Sequence, residues 1–182
     1  MIDLGLHQRV VLITNATSHA GQAVARLFAA QGAWIAAHFF ADAHGAKKLV
    51  DALRSEGGRA LLAPGSVKDH EGAWSLIERI EMEWQQVDIL IHTALPDDEV
   101  HLPIELMEEV CSRMAARGWG RIVAFSSNDV SLPSKAGVLI NNIELHGTTA
   151  IEPAAKLALF LGSNWNQCLS GQSFSVTEDQ GA

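Results

Sequence analysis

The chain has 182 residues, 48% of them hydrophobic and 19% charged, with a formal net charge of -8. These are ordinary proportions for a globular chain long enough to bury a core. No Lys/Arg cluster marks a nucleic-acid face, and no apolar run reaches membrane-spanning length. The opening MIDLGLHQRV lacks the basic flank and apolar stretch of a secretory signal, so a cytoplasmic protein is expected.

The apolar pattern alternates between short runs and longer helical stripes. Val10 to Thr14 reads as a buried strand, followed by the polar turn Asn15-Ala16-Thr17-Ser18 with good capping residues. Ala20, Val24, Leu27 and Phe28 then fall on one helical face, and Gly32 stops it. Trp34 to Ala37 is a second strand, and Ala41 to Ser55 a helix ending at Gly57-Gly58. Arg59 to Pro64 is a third strand, and Trp74, Ile77, Ile80 and Trp84 line the next helix. Val87 to Ile91 is a fourth strand. Ile104, Met107, Val110, Cys111 and Met114 stripe a helix ending at Gly118. Arg121 to Phe125 is a fifth strand, Val130 to Gly137 a loop and Val138 to Ile143 a sixth strand. Pro153 starts a short helix to Leu161, and Ser173 to Val176 is the last strand. Strands alternating with helices predict an α/β, Rossmann-like, doubly wound parallel sheet of about seven strands. With no linker, repeat or low-complexity stretch, residues 1–182 read as one domain.

Several blocks resemble the short-chain dehydrogenase/reductase family in order along the chain. They are Asp3-Leu4-Gly5-Leu6 before the first strand, Val87 to Ile91, Arg117 to Val123 with Ser126-Ser127, and Ala158 to Leu161 with Leu169 to Gln172. The resemblance implies a dinucleotide loop of the form T-G-x-x-x-G-x-G, where this chain has Thr14-Asn15-Ala16-Thr17-Ser18-His19-Ala20-Gly21. Only Thr14 and Gly21 match. The position of the ribose-binding acid is Phe39, the adenine-side aspartate is Ser66, and N-N-A-G reads His92-Thr93-Ala94-Leu95. Asp42 lies nearby but reads as a helix-start residue. The resemblance also implies a catalytic Ser, Tyr, Lys and Asn. Ser127 matches the serine and Lys135 resembles the lysine, but the chain contains no tyrosine. Its length falls short after Leu95, between Ser127 and Val138, and between Gly147 and Pro153. The active-site helix and substrate loop are therefore expected to be missing.

These departures lead to three competing expectations. The first is a chain that is no enzyme by itself: a truncated, non-catalytic subunit that binds no cofactor and has only a vestigial Ser127. It would pair as a hetero-oligomer, such as a heterotetramer, with an active homologue carrying NAD or NADP, of the kind known among hydroxyacyl-CoA-type dehydrogenases. Pairing would use the C-terminal helix and last strand through Leu157, Phe160, Leu161, Phe174 and Val176. Loss of the helix should also expose Met107, Val110 or Met114. The second is a nucleotide- or CoA-binding regulatory module, supported by Thr17, Ser18 and Gly21 at a helix start. The third is an active NAD(P)-dependent oxidoreductase with displaced catalytic residues. Neither the two cysteines, Cys111 and Cys168, nor the scattered histidines show metal spacing. His19 and His92 both follow parallel strands and could approach one another.

Overall fold

The computed structural model describes residues 3–93, 104–126, 134–146 and 150–177. The elements are β1 (Val10–Thr14), α1 (His19–Ala30), β2 (Trp34–Phe39), α2 (Ala43–Ser55), β3 (Arg59–Pro64), α3 (His70–Trp84) and β4 (Ile89–Thr93). They continue with α4 (Ile104–Ala116), β5 (Gly120–Ser126), β6 (Val138–His146), α5 (Ile151–Gly162) and β7 (Ser173–Thr177). All seven strands pair in parallel in the order β3-β2-β1-β4-β5-β6-β7. This is the Rossmann-like doubly wound sheet the sequence predicts.

The odd-numbered strand residues Val11, Ile13, Ile35 and Ile91 share one core with Val24 and Phe28 of α1, Leu49 and Leu53 of α2, and Ala154, Ala158 and Leu161 of α5. The opposite face, with Leu12, Leu90 and Ile122, packs on Leu76, Ile77 and Ile80 of α3 and Leu106, Val110 and Met114 of α4. Small residues let α5 approach α1 closely. A Cβ on Gly162 would lie 2.9 Å from the Phe28 ring. Phe28 is fully buried, a burial that contributes about 1.5–3 kcal/mol.

Helix starts follow local chemistry. Ser18, Asp42 and Asp69 each cap a helix by accepting from a glycine N–H three residues on, satisfying donors that the first turn leaves without a partner. Gly32 at φ 79° and Gly57 at φ 88° end α1 and α2 in the left-handed region.

Four sequence expectations need correction. Trp74 is 48% exposed and Ala73 and Leu76 take its place on the buried face of α3. α5 begins at Ile151, so Pro153 sits inside its first turn, where its lacking N–H costs nothing. β6 continues past Ile143 to His146. Met107, Val110 and Met114 are at most 1% exposed, because α4 packs them against α3 and the sheet.

β5 and β6 are joined by residues 127–137, where a parallel crossover usually takes a dozen or more residues and a helix. Residues 127–133 lie outside the described residues. On β6 the residues of the α4-side face are Asn142, Glu144 and His146, alternating with Ile143 and Leu145, which point into the core shared with α5. On β7 the matching positions are Ser173, Ser175 and Thr177. The sheet face beside β5 and β6 is therefore polar toward its C-terminal end.

Candidate functional site

In open parallel sheets ligands bind outside the carboxyl ends of the strands, where the strand order reverses. Here the reversal lies between β1 and β4, and Thr14 is in register with His92. His38 pairs with Ala63 and follows Ala37, the partner of Ile13 in β1, so His38, Thr14 and His92 form one row on one face. The row continues through Ala124, Asn142 and Ser173.

The proton positions in this row follow from its partners. The Asn15 backbone N–H donates to His38 Nδ1 at 3.4 Å, so His38 Nε2 carries the hydrogen and donates to the Gly65 carbonyl at 3.1 Å. His92 Nδ1 lies 2.6 Å from Thr14 Oγ1. Its Nε2 has no hydrogen-bond partner among the described residues. His92 is completely buried. Burial, with a smaller push from His38, holds its pKa at about 4, below the ordinary 6.5. Burial also lowers the His38 pKa, against a smaller rise from its bond to Gly65. Both imidazoles are neutral at pH 7. Thr93 Oγ1 donates to the Thr14 carbonyl at 2.7 Å, tying β4 to the β1 turn.

The β1–α1 turn keeps a shape that glycine usually supplies. Asn15 adopts φ 49°, the left-handed region that asparagine tolerates better than most residues. Gly21 packs so closely on the turn that a Cβ would lie 2.6 Å from the Asn15 carbonyl oxygen and 2.7 Å from Ala16 Cα. Thr14 and Ala16 are buried, Thr17 and Ser18 half-buried, and His19 exposed. His19 and His92 therefore do not form a pair; His38, not His19, is the histidine near His92. Among the described residues no group of three His, Cys, Asp or Glu side chains could hold a metal.

The other sequence candidates are placed as follows. Phe39 ends β2 and is buried, 8% exposed, and Asp42 is committed to the α2 cap. Ser66 Oγ accepts from the Lys68 N–H within its own turn. Lys135 precedes Val138, which pairs with Gly120 at the start of β5, and its Nζ reaches Ser112 Oγ of α4 at 2.5 Å. It lies at the end of the sheet opposite Ser126. Ser127 lies outside the described residues. Leu157, Phe174 and Val176 are partly buried against the core, and Phe160 is 37% exposed. Leu161 is fully buried, so it is core and not interface. Sequence reading missed His38, Glu144 and His146. The strict alternation from Asn142 to His146 is the signal that marks a strand with one open face.

Comparison with known proteins adds the family. The profile described as short chain dehydrogenase matches residues 9–96. A 2,3-dihydro-2,3-dihydroxybenzoate dehydrogenase of Bacillus subtilis is 31% identical over 71% of this chain and 56% of its own length. Residues 9–96 are thus similar to the short-chain dehydrogenase family. A cis-4-hydroxycyclohexanecarboxylate dehydrogenase of Sinomonas cyclohexanicum is 36% identical over 48% of this chain and 34% of its own. The short-chain dehydrogenase fold extends further. A hydroxysteroid dehydrogenase structure from Escherichia coli superposes with a TM-score of 0.78 at 19% identity, covering 96% of this chain and 97% of that one. The chain spans about half the length of the first curated relatives it matches.

These relatives point to an oxidoreductase and overturn the expectation that the chain is no enzyme by itself. The error has a physical reason. The missing tyrosine removes one proton donor, and other side chains can move a proton in its place. No helix among the described residues is long and apolar enough to cross a membrane.

Proposed function

We propose that this chain is an oxidoreductase domain of the short-chain dehydrogenase kind, moving a hydride between a nicotinamide dinucleotide, NAD or NADP, and an alcohol or carbonyl carbon. The observation that carries the reading is the turn between β1 and α1. Asn15 holds the left-handed conformation, and Gly21 lets the start of α1 pack directly on that turn, where a Cβ would meet the Asn15 carbonyl oxygen and Ala16. His92, whose buried Nε2 has no partner among the described residues, stands beside Thr14 on the neighbouring strand. These features fit a dinucleotide. The backbone from Asn15 to His19, at the start of α1, would hold its pyrophosphate. When bound, the cofactor supplies the hydride carrier at its nicotinamide ring.

The chain's own residues supply the frame. Thr93 and Thr14 lock the crevice floor, and the neutral imidazoles of His38 and His92 add no charge beside the anionic pyrophosphate. Phe39 gives the ribose no carboxylate, so discrimination between NAD and NADP does not rest on an acid at that position. Titration of the purified chain with NADH and NADPH, read by energy transfer from its tryptophans, tests the reading. Saturable binding of either is expected, and no binding would sink it.

We also propose that a second short-chain-dehydrogenase chain docks on α5 and β7. Among the described residues β7 is the sheet edge, paired only with β6, and Phe160 of α5 stands partly exposed. A native mass equal to one chain, measured after purification from its source, would remove this partner.

A further inference from the structure

A hydrogen-bonded path runs over the open polar face of the sheet. Ser126 Oγ donates to Asn142 Oδ1 at 2.9 Å. Asn142 Nδ2 donates to Ser173 Oγ at 2.8 Å. Ser173 Oγ donates to Glu144 Oε1 at 2.7 Å. The other oxygen of Glu144 lies 3.8 Å from His146 Nε2. Ser126 ends β5, and Glu144 and His146 lie at the end of β6, at the strand ends where ligands of open parallel sheets bind.

We propose that His146 is the acid/base catalyst of this domain and that Glu144 positions it. The inference rests on the oxidoreductase reading above. Three observations converge on it. The chain has no tyrosine to move a proton, and Lys135 lies at the far end of the sheet. His146 keeps half of its side chain exposed and Glu144 a quarter, so a substrate can reach the imidazole. The Ser126–Asn142–Ser173 path fixes the Glu144 carboxylate, which stands 3.8 Å from the ring, close enough to draw in and orient the imidazole when it takes up a proton.

The balance is that of alcohol oxidation. The hydroxyl O–H bond breaks and its proton passes to Nδ1, the imidazole nitrogen turned away from Glu144. The C–H electron pair and hydrogen leave together as hydride to the oxidised nicotinamide dinucleotide. The carbonyl remains, and the imidazolium returns its proton to water. In the reductive direction the imidazolium donates. The charged group facing His146 from its own strand is Glu144. The facing positions of the neighbouring strands, Ser126, Ser173, Ser175 and Thr177, carry no charge. α5 packs on the opposite face of β6.

The test uses the full chain and its His146→Gln, His146→Asn, Glu144→Gln and Glu144→Asp variants. Turnover is measured with NAD+ and NADP+ on a panel of secondary alcohols: a cyclohexanol, an acyclic 2-alkanol and a 3-hydroxyacyl thioester. Both His146 variants are expected to lose about 10²–10⁴-fold in kcat, with dinucleotide Kd unchanged. Glu144→Gln is expected to lower kcat by about 10-fold or more, while KM, the dinucleotide Kd and the melting temperature stay unchanged, and Glu144→Asp is expected to restore part of the rate. A His146 variant that turns over like the unmodified chain overturns this inference and leaves the oxidoreductase reading standing. So does a Glu144→Gln variant whose kcat matches that of the unmodified chain. An unmodified chain that neither binds a dinucleotide nor oxidises any of these alcohols overturns both.

Discussion

Acid should act on this fold through His92. The folded protein holds the His92 pKa at about 4, mainly by burial, whereas the unfolded chain titrates near 6.5. The folded value is depressed for a base, so between these values the unfolded chain binds a proton that the folded chain refuses. Stability is therefore full above pH 6.5 and falls as the pH falls toward 4. Each pKa unit is worth about 1.36 kcal/mol. The whole loss is then about 3 kcal/mol, with about 2 kcal/mol already gone at pH 5, a large share of a typical domain's stability. His38 shifts in the same direction and leaves a residual slope when His92 is removed. Urea unfolding at pH 7 and pH 5 measures the effect in the unmodified chain and in His92→Asn, whose amide can still meet Thr14. The unmodified chain should lose about 2 kcal/mol more than the variant over that interval. Parallel losses in the two proteins would refute the reasoning, because His92 would then be protonated in the fold as easily as outside it.

Two further substitutions probe the frame. Gly21→Ala places a Cβ 2.6 Å from the Asn15 carbonyl oxygen and 2.7 Å from Ala16 Cα. The turn must shift, so the urea midpoint should report a loss of about 1–3 kcal/mol, with weaker dinucleotide binding. Arg113 bonds Glu109 at 2.8 Å, Glu78 at 2.7 Å and also Glu81. The four side chains are 17–38% exposed. Arg113→Met leaves three carboxylates facing one another between α3 and α4. A loss of about 1–2 kcal/mol is expected at pH 7 in low salt, discounted for solvent. Thermal melts in 1 M salt should show a smaller difference between the two proteins.

The order and type of the elements were legible because strands here are buried runs and helices carry one apolar stripe. Caps and stops were legible because Ser18, Gly32 and Gly57 act within a few residues of chain. The site was less so. His38, Thr14 and His92 become neighbours only through the sheet order and register, which local sequence does not encode. β6 was cut short at Ile143 because the charged Glu144 breaks the apolar run, yet the strand runs on to His146, and even the Asn141 and Asn142 amides within it are satisfied. Asn141 bonds the Leu169 carbonyl and the Gln172 N–H. Trp74 fits a helical stripe by spacing alone, and only packing shows that Ala73 and Leu76 fill the core instead. Glu144 and His146 put polar, partly exposed side chains on the α4-side face at the end of β6.

Turnover is the most direct test of the central claim. Purified chain, oxidised NAD or NADP and the secondary-alcohol panel are incubated, and the absorbance of the reduced nicotinamide is followed alongside the carbonyl product. The account predicts one reduced cofactor per carbonyl formed, with the rate proportional to protein. A chain that forms neither, while its melt shows it folded, would contradict the assignment as an oxidoreductase.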